Sequence, residues 1–439
     1  MEKRYLHIQS FGCQMNDHDS EKIVALMKHS GFATTDDIDK ADLIIVNTCS
    51  IREKAEQKVH SQLGRFRKLK IIRPELIIGV GGCIAQQNGA ELLRKYPFID
   101  IVFGTHNIHR IAEFVNNVEI SGSQIVDTDF HESVKSLDIV ALPRNGNINA
   151  YVTIMQGCNN FCSFCVVPYL RGREESRSLN SIVEEVRALA AHGIKEVTLL
   201  GQNVNSYGKT IDGGHDFADL SQAIGEIDGI ERIRFTTSHP KDLSERMMKC
   251  FGMVKKLCEH IHLPVQSGSD HVLKLMNRYY TGNDYLDRVD RIRSICPDMS
   301  ITSDFIVGFP GESEKDFQST LDLMKKIRFD NAFSFKYSER AGTTAVGLEH
   351  KISECVKRER LKILQSLQNE HTLERNKALI GKIEEILVEG FSKNSREDVT
   401  GKTRTNKIVN FAGHSELVGN TVPVVITEAY QHSLRGRLL

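Results

Sequence analysis

The chain has 439 residues, 40% of them hydrophobic, and carries 57 Lys plus Arg against 57 Asp plus Glu, so it can bury sizeable cores but has no global basic field to draw in nucleic acid. No stretch approaches the roughly 20 apolar residues that span a bilayer, and "MEKRYLHIQSFGCQMN" has no signal-peptide apolar core, which excludes a membrane role and reads as cytoplasmic. Ten cysteines in such a compartment point to metal binding or catalysis and away from disulfides.

From residue 3 to about 120, short apolar runs alternate with helical patterns: "YLHIQSFGC", "DSEKIVALMKHSG", "ADLIIVNTC", a long charged helix from Ser50, "ELIIGVGGC" and "IDIVFG". This alternation predicts βαβ units on a parallel, Rossmann-like α/β sheet. Cys13, Cys49 and Cys83 each follow one of those strands, 36 and 34 residues apart. The carboxyl ends of neighbouring strands share one crevice, so the three thiols are expected to converge there. Three separately buried core cysteines are the competing interpretation.

Residues 120 to 145 are polar and aperiodic, as a linker is. A second βα series, over 144–374, then offers six strands: "AYVTIMQGC", "EVTLLGQNV", "RIRFTTS", "HIHLPVQSG", "SITSDFIVGF" and "NAFSFKYS". Six units predict an open, partial (β/α) barrel with its active site at the strand carboxyl ends. A charged helix from Ser353 to about Leu379 leads to residues 377–439, where "KIEEILVEGF", "NKIVNF" and "TVPVVITEAY" alternate as a small β-barrel does.

The first strand of the second series runs into "QGCNNFCSFCVVP", which places Cys158, Cys162 and Cys165 within eight positions. Structural zinc needs a fourth ligand, and "SFCVVPYLRGRE" supplies no further Cys and no His after Cys165. Soft thiolates also suit iron–sulfur clusters, and three of them on a four-iron cluster leave one iron open to another molecule.

This CxxxCxxC loop at the top of a barrel, with the aromatic Phe164 just before its last cysteine, resembles the radical S-adenosylmethionine enzymes. "SDFIVGFPGE", with Gly308, is similar to the strand and turn that lie beside the cofactor's adenine in that superfamily. Two three-cysteine sets followed by a small β-barrel resemble the methylthiotransferases, and the resemblance covers essentially the whole chain. "FGCQMNDHDSE", "NTCSIREKAEQKVHSQLG", "CNNFCSFCVVPYLRGRE" and "LLGQNVNSYG" are closest to the branch that makes 2-methylthio-N6-dimethylallyladenosine at position 37 of tRNA.

That resemblance implies two [4Fe-4S] clusters, one on Cys158, Cys162 and Cys165 and the other on Cys13, Cys49 and Cys83. It also implies S-adenosylmethionine contacting Phe164 and Gly308, radical attack at C2 of the adenine, and sulfur delivered at the N-terminal cluster. An RNA-binding TRAM domain over 377–439, a tRNA anticodon stem-loop as substrate, an electron donor such as flavodoxin or ferredoxin, and a monomer complete the expectation. No side chain is assigned as catalytic acid or base, because a cofactor does the radical chemistry.

Candidate phosphate contacts are Arg52, Lys54 and Lys58; Arg171, Arg173 and Arg177; and Lys393, Arg396, Lys402, Arg404, Lys407, Arg435 and Arg437. Among them Arg171, Arg173, Arg404 and Lys407 are the preferred RNA-binding residues. Cys250, Cys258, Cys296 and Cys355 are read as structural, and His239 is given no catalytic role. The rivals are a sister methylthiotransferase acting on threonylcarbamoyl-adenosine or a ribosomal-protein aspartate, and a non-enzymatic iron–sulfur RNA-binding protein.

Overall fold

A computed structural model describes residues 3–50, 53–131, 133–141, 146–393 and 395–439. The chain divides into two compact units, Met1–Asn145 with Tyr151–Asn159 and Val166–Glu185, and Gly146–Ala150 with Asn160–Cys165 and Val186–Leu439.

The first unit is built on six parallel strands, Arg4–Phe11, Phe32–Thr34, Leu43–Thr48, Ile77–Gly82, Ile101–Phe103 and Ile125–Asp127. Their spatial order is second, first, third, fourth, fifth, sixth. Because successive side chains point to opposite faces, "LIIV" is buried on both sides. Leu43 and Ile45 pack with Ile23 and Met27 of the helix Gln14–His29 and with Phe114 of the helix Ile111–Ser121. Ile44 and Val46 pack with Val59, Leu63 and Phe66 of the helix Glu53–Ile72. The chain leaves the first strand in one direction and returns on its other side, so the crevice of the sheet opens between the first and third strands.

In the second unit the predicted series appears as strands opening at Asn149 and at Glu196–Leu200, Arg232–Phe235, His260–His262, Ser300–Val307 and Asn331–Lys336. They form two three-stranded sheets, and a single bridge from Ile233 to Leu257 connects the third strand to the segment leading into the fourth. The barrel is therefore partial, as six units predict. The helix Glu354–Lys377 starts where Ser353 caps it by accepting the Val356 amide, and it leads to a closed five-stranded barrel of Ile383–Ser392, Ser395–Lys402, Ile408–Ala412, Leu434–Leu438 and Thr421–Ala429. Ile386, Val388, Val399, Phe411 and Ile426 fill that barrel.

The small barrel shares a compact unit with the strands before it, and "RIRF" supplies a reason. Arg232 and Arg234 are buried; Arg232 donates to the carbonyls of Lys402 (2.6 Å) and Glu385 (2.8 Å), and Arg234 to those of Arg404 (2.9 Å) and Thr403 (2.8 Å). The Nε–H of Arg234 goes to Glu196 at 2.8 Å, which balances its charge.

Candidate functional site

The three N-terminal cysteines stand at the carboxyl ends of adjacent strands. Cys13 is the residue before the helix Gln14–His29, Cys49 follows Leu43–Thr48, and Cys83 opens the helix Cys83–Asn88. Glycines let these loops approach: a Cβ on Gly12 would lie 2.7 Å from the Cys49 Cβ, and one on Gly82, whose φ is +88°, would lie 2.4 Å from the Thr48 carbonyl. No other residue tolerates both the backbone and the contact at Gly82. An amide network joins the same loops. Asn16 donates to the Asn47 side chain (3.2 Å) and the Thr48 carbonyl (3.0 Å), Asn47 donates back to the Asn16 carbonyl (2.8 Å), and the Cys13 thiol donates to Asn16 at 3.4 Å.

The electrostatics favour thiolate at one of these positions. Hydrogen bonding with Cys49 brings the Cys13 thiol down to about 6 against the opposing effect of burial, and the Arg171 charge helps. Burial pushes Cys83 up, and Arg171 opposes it. Arg171 itself is 3% exposed, with Nη2 on the Asp19 carboxylate at 2.8 Å. Burial works against its charge, but Asp19 and the thiols of Cys83 and Cys13 outweigh that and raise it.

The second cysteine set is divided between the two units. In the first, the Cys158 amide donates to the Gly172 carbonyl at 3.2 Å, and Met155–Gln156 pairs antiparallel with Glu175–Ser176. Gly157 has φ +81°, and a Cβ there would lie 2.0 Å from the Arg173 carbonyl. In the second, a turn bond of 2.9 Å from the Cys165 amide to the Cys162 carbonyl closes the loop, and Ser163 ties it to the carbonyls of Leu275 (2.8 Å) and Met276 (3.0 Å). Arg278 is buried beside it and donates to the Cys162 sulfur (3.4 Å), the Pro264 carbonyl (2.6 Å) and the Tyr280 hydroxyl (2.9 Å). Its neighbours Asn277 and Tyr279 both have positive φ, 59° and 55°, so a strained turn presents it to the loop.

Phe164 packs edge-on to Phe309 at 6.4 Å between ring centroids, in a cluster with Val272, Met276 and Tyr337. Gly308 has φ +70°, and its amide donates to Glu312, which Arg360 holds at 2.8 Å. Among the described residues no group of three or more His, Cys, Asp or Glu side chains stands in ready metal-holding geometry. The two sets are ligand candidates through their thiol chemistry, their strand-end placement and the cation beside each. That donor chemistry, with one thiol already lowered and buried guanidinium groups to offset thiolate charge, fits an iron–sulfur cluster.

Several basic residues are committed elsewhere. Arg171 is enclosed with Asp19, so its expected RNA contact gives way to a place beside the thiols. Arg177 is buried on Glu185. Arg404 pairs with Glu259 at 2.6 Å, Lys407 with Asp330 and Asn376 at 2.9 Å each, Lys402 with Glu389 at 2.9 Å and Arg435 with Asp398 at 2.5 Å. The head groups of Arg404 and Lys407 thus stand on protein partners in this structure. Lys58, Arg173, Lys393 and Arg437 are exposed. Arg52 lies outside the described residues, as do the side chains of Lys54 and Arg396.

His239 accepts the Lys241 amide and caps a short turn. Cys250, Cys258 and Cys296 are buried, whereas Cys355 is exposed. Sequence reasoning missed Asp19, Asn16, Asn47 and Arg278. "NDHDSE", "IVNTC" and "MNRYY" carry those residues, but nothing local in them signals their partners.

Family models match three stretches: the uncharacterized protein family UPF0004 over residues 5–104, the radical SAM superfamily over 152–324 and the TRAM domain over 377–439. Among solved structures, the radical S-adenosylmethionine methyltransferase TsrM from Kitasatospora setae aligns with a TM-score of 0.57 at 15% identity, covering 76% of this chain and 73% of that one. The cobalamin-dependent radical enzyme OxsB aligns at 0.56 and 14% identity, over 84% of this chain and 56% of that one, and both likenesses concern the fold. Among the described residues no helix is long and apolar enough to cross a membrane. The tRNA-2-methylthio-N(6)-dimethylallyladenosine synthase of Syntrophus aciditrophicus is 61% identical over 100% of this chain and 95% of its own length. That of Geobacter sulfurreducens is 49% identical over 100% of this chain and 98% of its own. With identity at that level over its whole length, the chain belongs to the family of tRNA-2-methylthio-N(6)-dimethylallyladenosine synthases within the radical SAM superfamily.

Proposed function

We propose that this protein methylthiolates C2 of N6-dimethylallyladenosine at position 37 of tRNA, using S-adenosylmethionine, a [4Fe-4S] cluster on Cys158, Cys162 and Cys165, and a second cluster on Cys13, Cys49 and Cys83. The observation that carries the reading is the second thiol set at the ends of three adjacent parallel strands, joined to a chain whose relatives bear the name of this activity. The aromatic C–H bond at C2 is beyond any side-chain base at neutral pH. When bound, the radical cluster supplies the electron that cleaves S-adenosylmethionine to methionine and the 5′-deoxyadenosyl radical.

The chain's own residues do the placing. Ser163 and Asn277 hold the cysteine loop, the latter through the Phe161 carbonyl at 2.9 Å, and Arg278 offsets charge at Cys162. Phe164 offers an aromatic edge for the cofactor, and Gly308 a positive-φ turn whose Cβ position is taken by the Lys357 side chain. In the N-terminal unit the Asn16–Asn47 network orients the loops that carry Cys13 and Cys49. Substrate tRNA is bound by the TRAM barrel with exposed cations such as Lys393 and Arg437, and a flavodoxin- or ferredoxin-like donor supplies electrons.

Mass spectrometry of tRNA nucleosides from cells with and without this chain tests the reading. The expected result is loss of 2-methylthio-N6-dimethylallyladenosine and accumulation of its unthiolated precursor. An unchanged nucleoside profile would sink it.

A further inference from the structure

The segment after the radical-SAM cysteines contributes to the other cysteine site. Val166 and Leu170 pack with Cys83 in an apolar cluster. Thr105 donates to the Leu170 carbonyl at 2.6 Å, and the His106 ring nitrogen lies 3.1 Å from the Arg171 carbonyl. These ties leave the Arg171 side chain one direction to run, into the interior beneath the N-terminal thiols. There Nη2 is satisfied by Asp19 at 2.8 Å, both side chains being 4% exposed, while Nη1 is buried with no hydrogen-bond partner. A buried guanidinium N–H without an acceptor is costly, so a fold that keeps one implies an acceptor still to come.

The surrounding groups point the same way. Arg177 has its own carboxylates, Glu185 and Asp138 (3.3 Å), whereas Arg171 has Asp19, and the thiols of Cys83 and Cys13 are the further acidic groups acting on it.

We propose that Arg171 is a positioning residue for the N-terminal site, giving a fixed cation and the Nη1 donor to sulfur held at Cys13 and Cys83, with Asp19 setting the direction of the fork. This rests on the reading that those cysteines and Cys49 hold a cluster. A guanidinium suits the task because one nitrogen can bind the carboxylate while the other stays aimed at sulfur; an ammonium has no such fork. A cation beside a cluster favours its more reduced, more negative state, and a carboxylate disfavours it. Arg171 and Asp19 therefore act on the potential with opposite sign.

The test uses the full chain with Cys158, Cys162 and Cys165 all changed to Ala, reconstituted anaerobically and titrated with spectroscopic detection of the remaining cluster. Arg171→Met is expected to lower the reduced-to-oxidised ratio at a fixed ambient potential about tenfold, which for one electron is about 59 mV. Asp19→Asn, nearly isosteric, leaves the Arg171 charge without its carboxylate and is expected to move the ratio the other way. Arg171→Lys is expected to recover the charge effect in part. A cluster whose potential is the same in the parent, Arg171→Met and Asp19→Asn would overturn the inference while leaving the cluster reading intact. If Arg171→Met does not fold, Asp19→Asn decides alone, and an unshifted or lowered ratio there overturns it. Absence of iron from the parent would instead overturn the N-terminal cluster, and the inference with it.

Discussion

The two cysteine sets, both proposed above as cluster ligands, are assembled by opposite routes. Cys158, Cys162 and Cys165 occupy eight consecutive positions and need only a loop, whereas Cys13, Cys49 and Cys83 span 71 positions and need a folded sheet to bring them to one edge. Each has a buried arginine from elsewhere in the chain: Arg278 is 116 residues from Cys162, and Arg171 is 152 residues from its partner Asp19. Sulfur ligands can be gathered locally or globally, but the charge that accompanies them is supplied from a distance in both cases.

The sharpest way to break this comparison is to remove one set at a time. Changing Cys158, Cys162 and Cys165 together to Ala is expected to abolish both 5′-deoxyadenosine and methylthiolated product, and to lower iron from about eight to about four per chain. Iron analysis and product chromatography of anaerobically reconstituted protein check this, and unchanged iron would refute it. Cys49→Ala is expected to abolish methylthiolation while cleavage of S-adenosylmethionine persists, because one lost ligand disables a shared cluster. Quantifying 5′-deoxyadenosine and product in one reaction separates this from three core cysteines, for which activity would fall only with folding.

A smaller effect is expected at Arg278. Arg278→Met leaves the Pro264 carbonyl and the Tyr280 hydroxyl without their donor. The expected cost is about 3 kcal/mol of stability, with Arg278→Lys recovering a part of it, read by thermal unfolding of apo protein. The smallest effects belong to the surface. Lys393→Ala and Arg437→Ala are each expected to reduce the salt slope of tRNA binding by about 1. Arg404→Ala, by breaking its pair with Glu259, is expected to lower thermal stability with no change of slope. Equal slope changes for Arg404 and Arg437 would return Arg404 to the RNA interface.

Hydrophobic patterning was enough to read both βα series and the terminal barrel, since a continuous apolar run such as "LIIV" reports burial on both faces and an alternating one such as "KIEEILVEGF" burial on one. Strand-end placement of Cys13, Cys49 and Cys83 was legible for the same reason: each cysteine immediately follows an apolar run. The role of Arg171 was not. In "YLRGRE" it looks like an exposed cation next to a reactive loop, and its distance in sequence from Asp19 hides the pair. The ion pairs of Arg404 and Lys407 were hidden in the same way, because a cation's partner belongs to tertiary structure and not to the neighbouring residues.

The joint made by Arg232 and Arg234 holds the small barrel by four main-chain oxygens, at Glu385, Lys402, Thr403 and Arg404. A carbonyl is the same acceptor whatever side chain its residue bears. Substitutions along those barrel strands can therefore remodel what the barrel presents to a ligand while its seat stays unchanged. The two guanidinium groups have no such latitude, since each spends its N–H donors in a fixed planar fan that no shorter or singly charged point donor reproduces. Diversity is free to accumulate on one side of this joint and is penalised on the other.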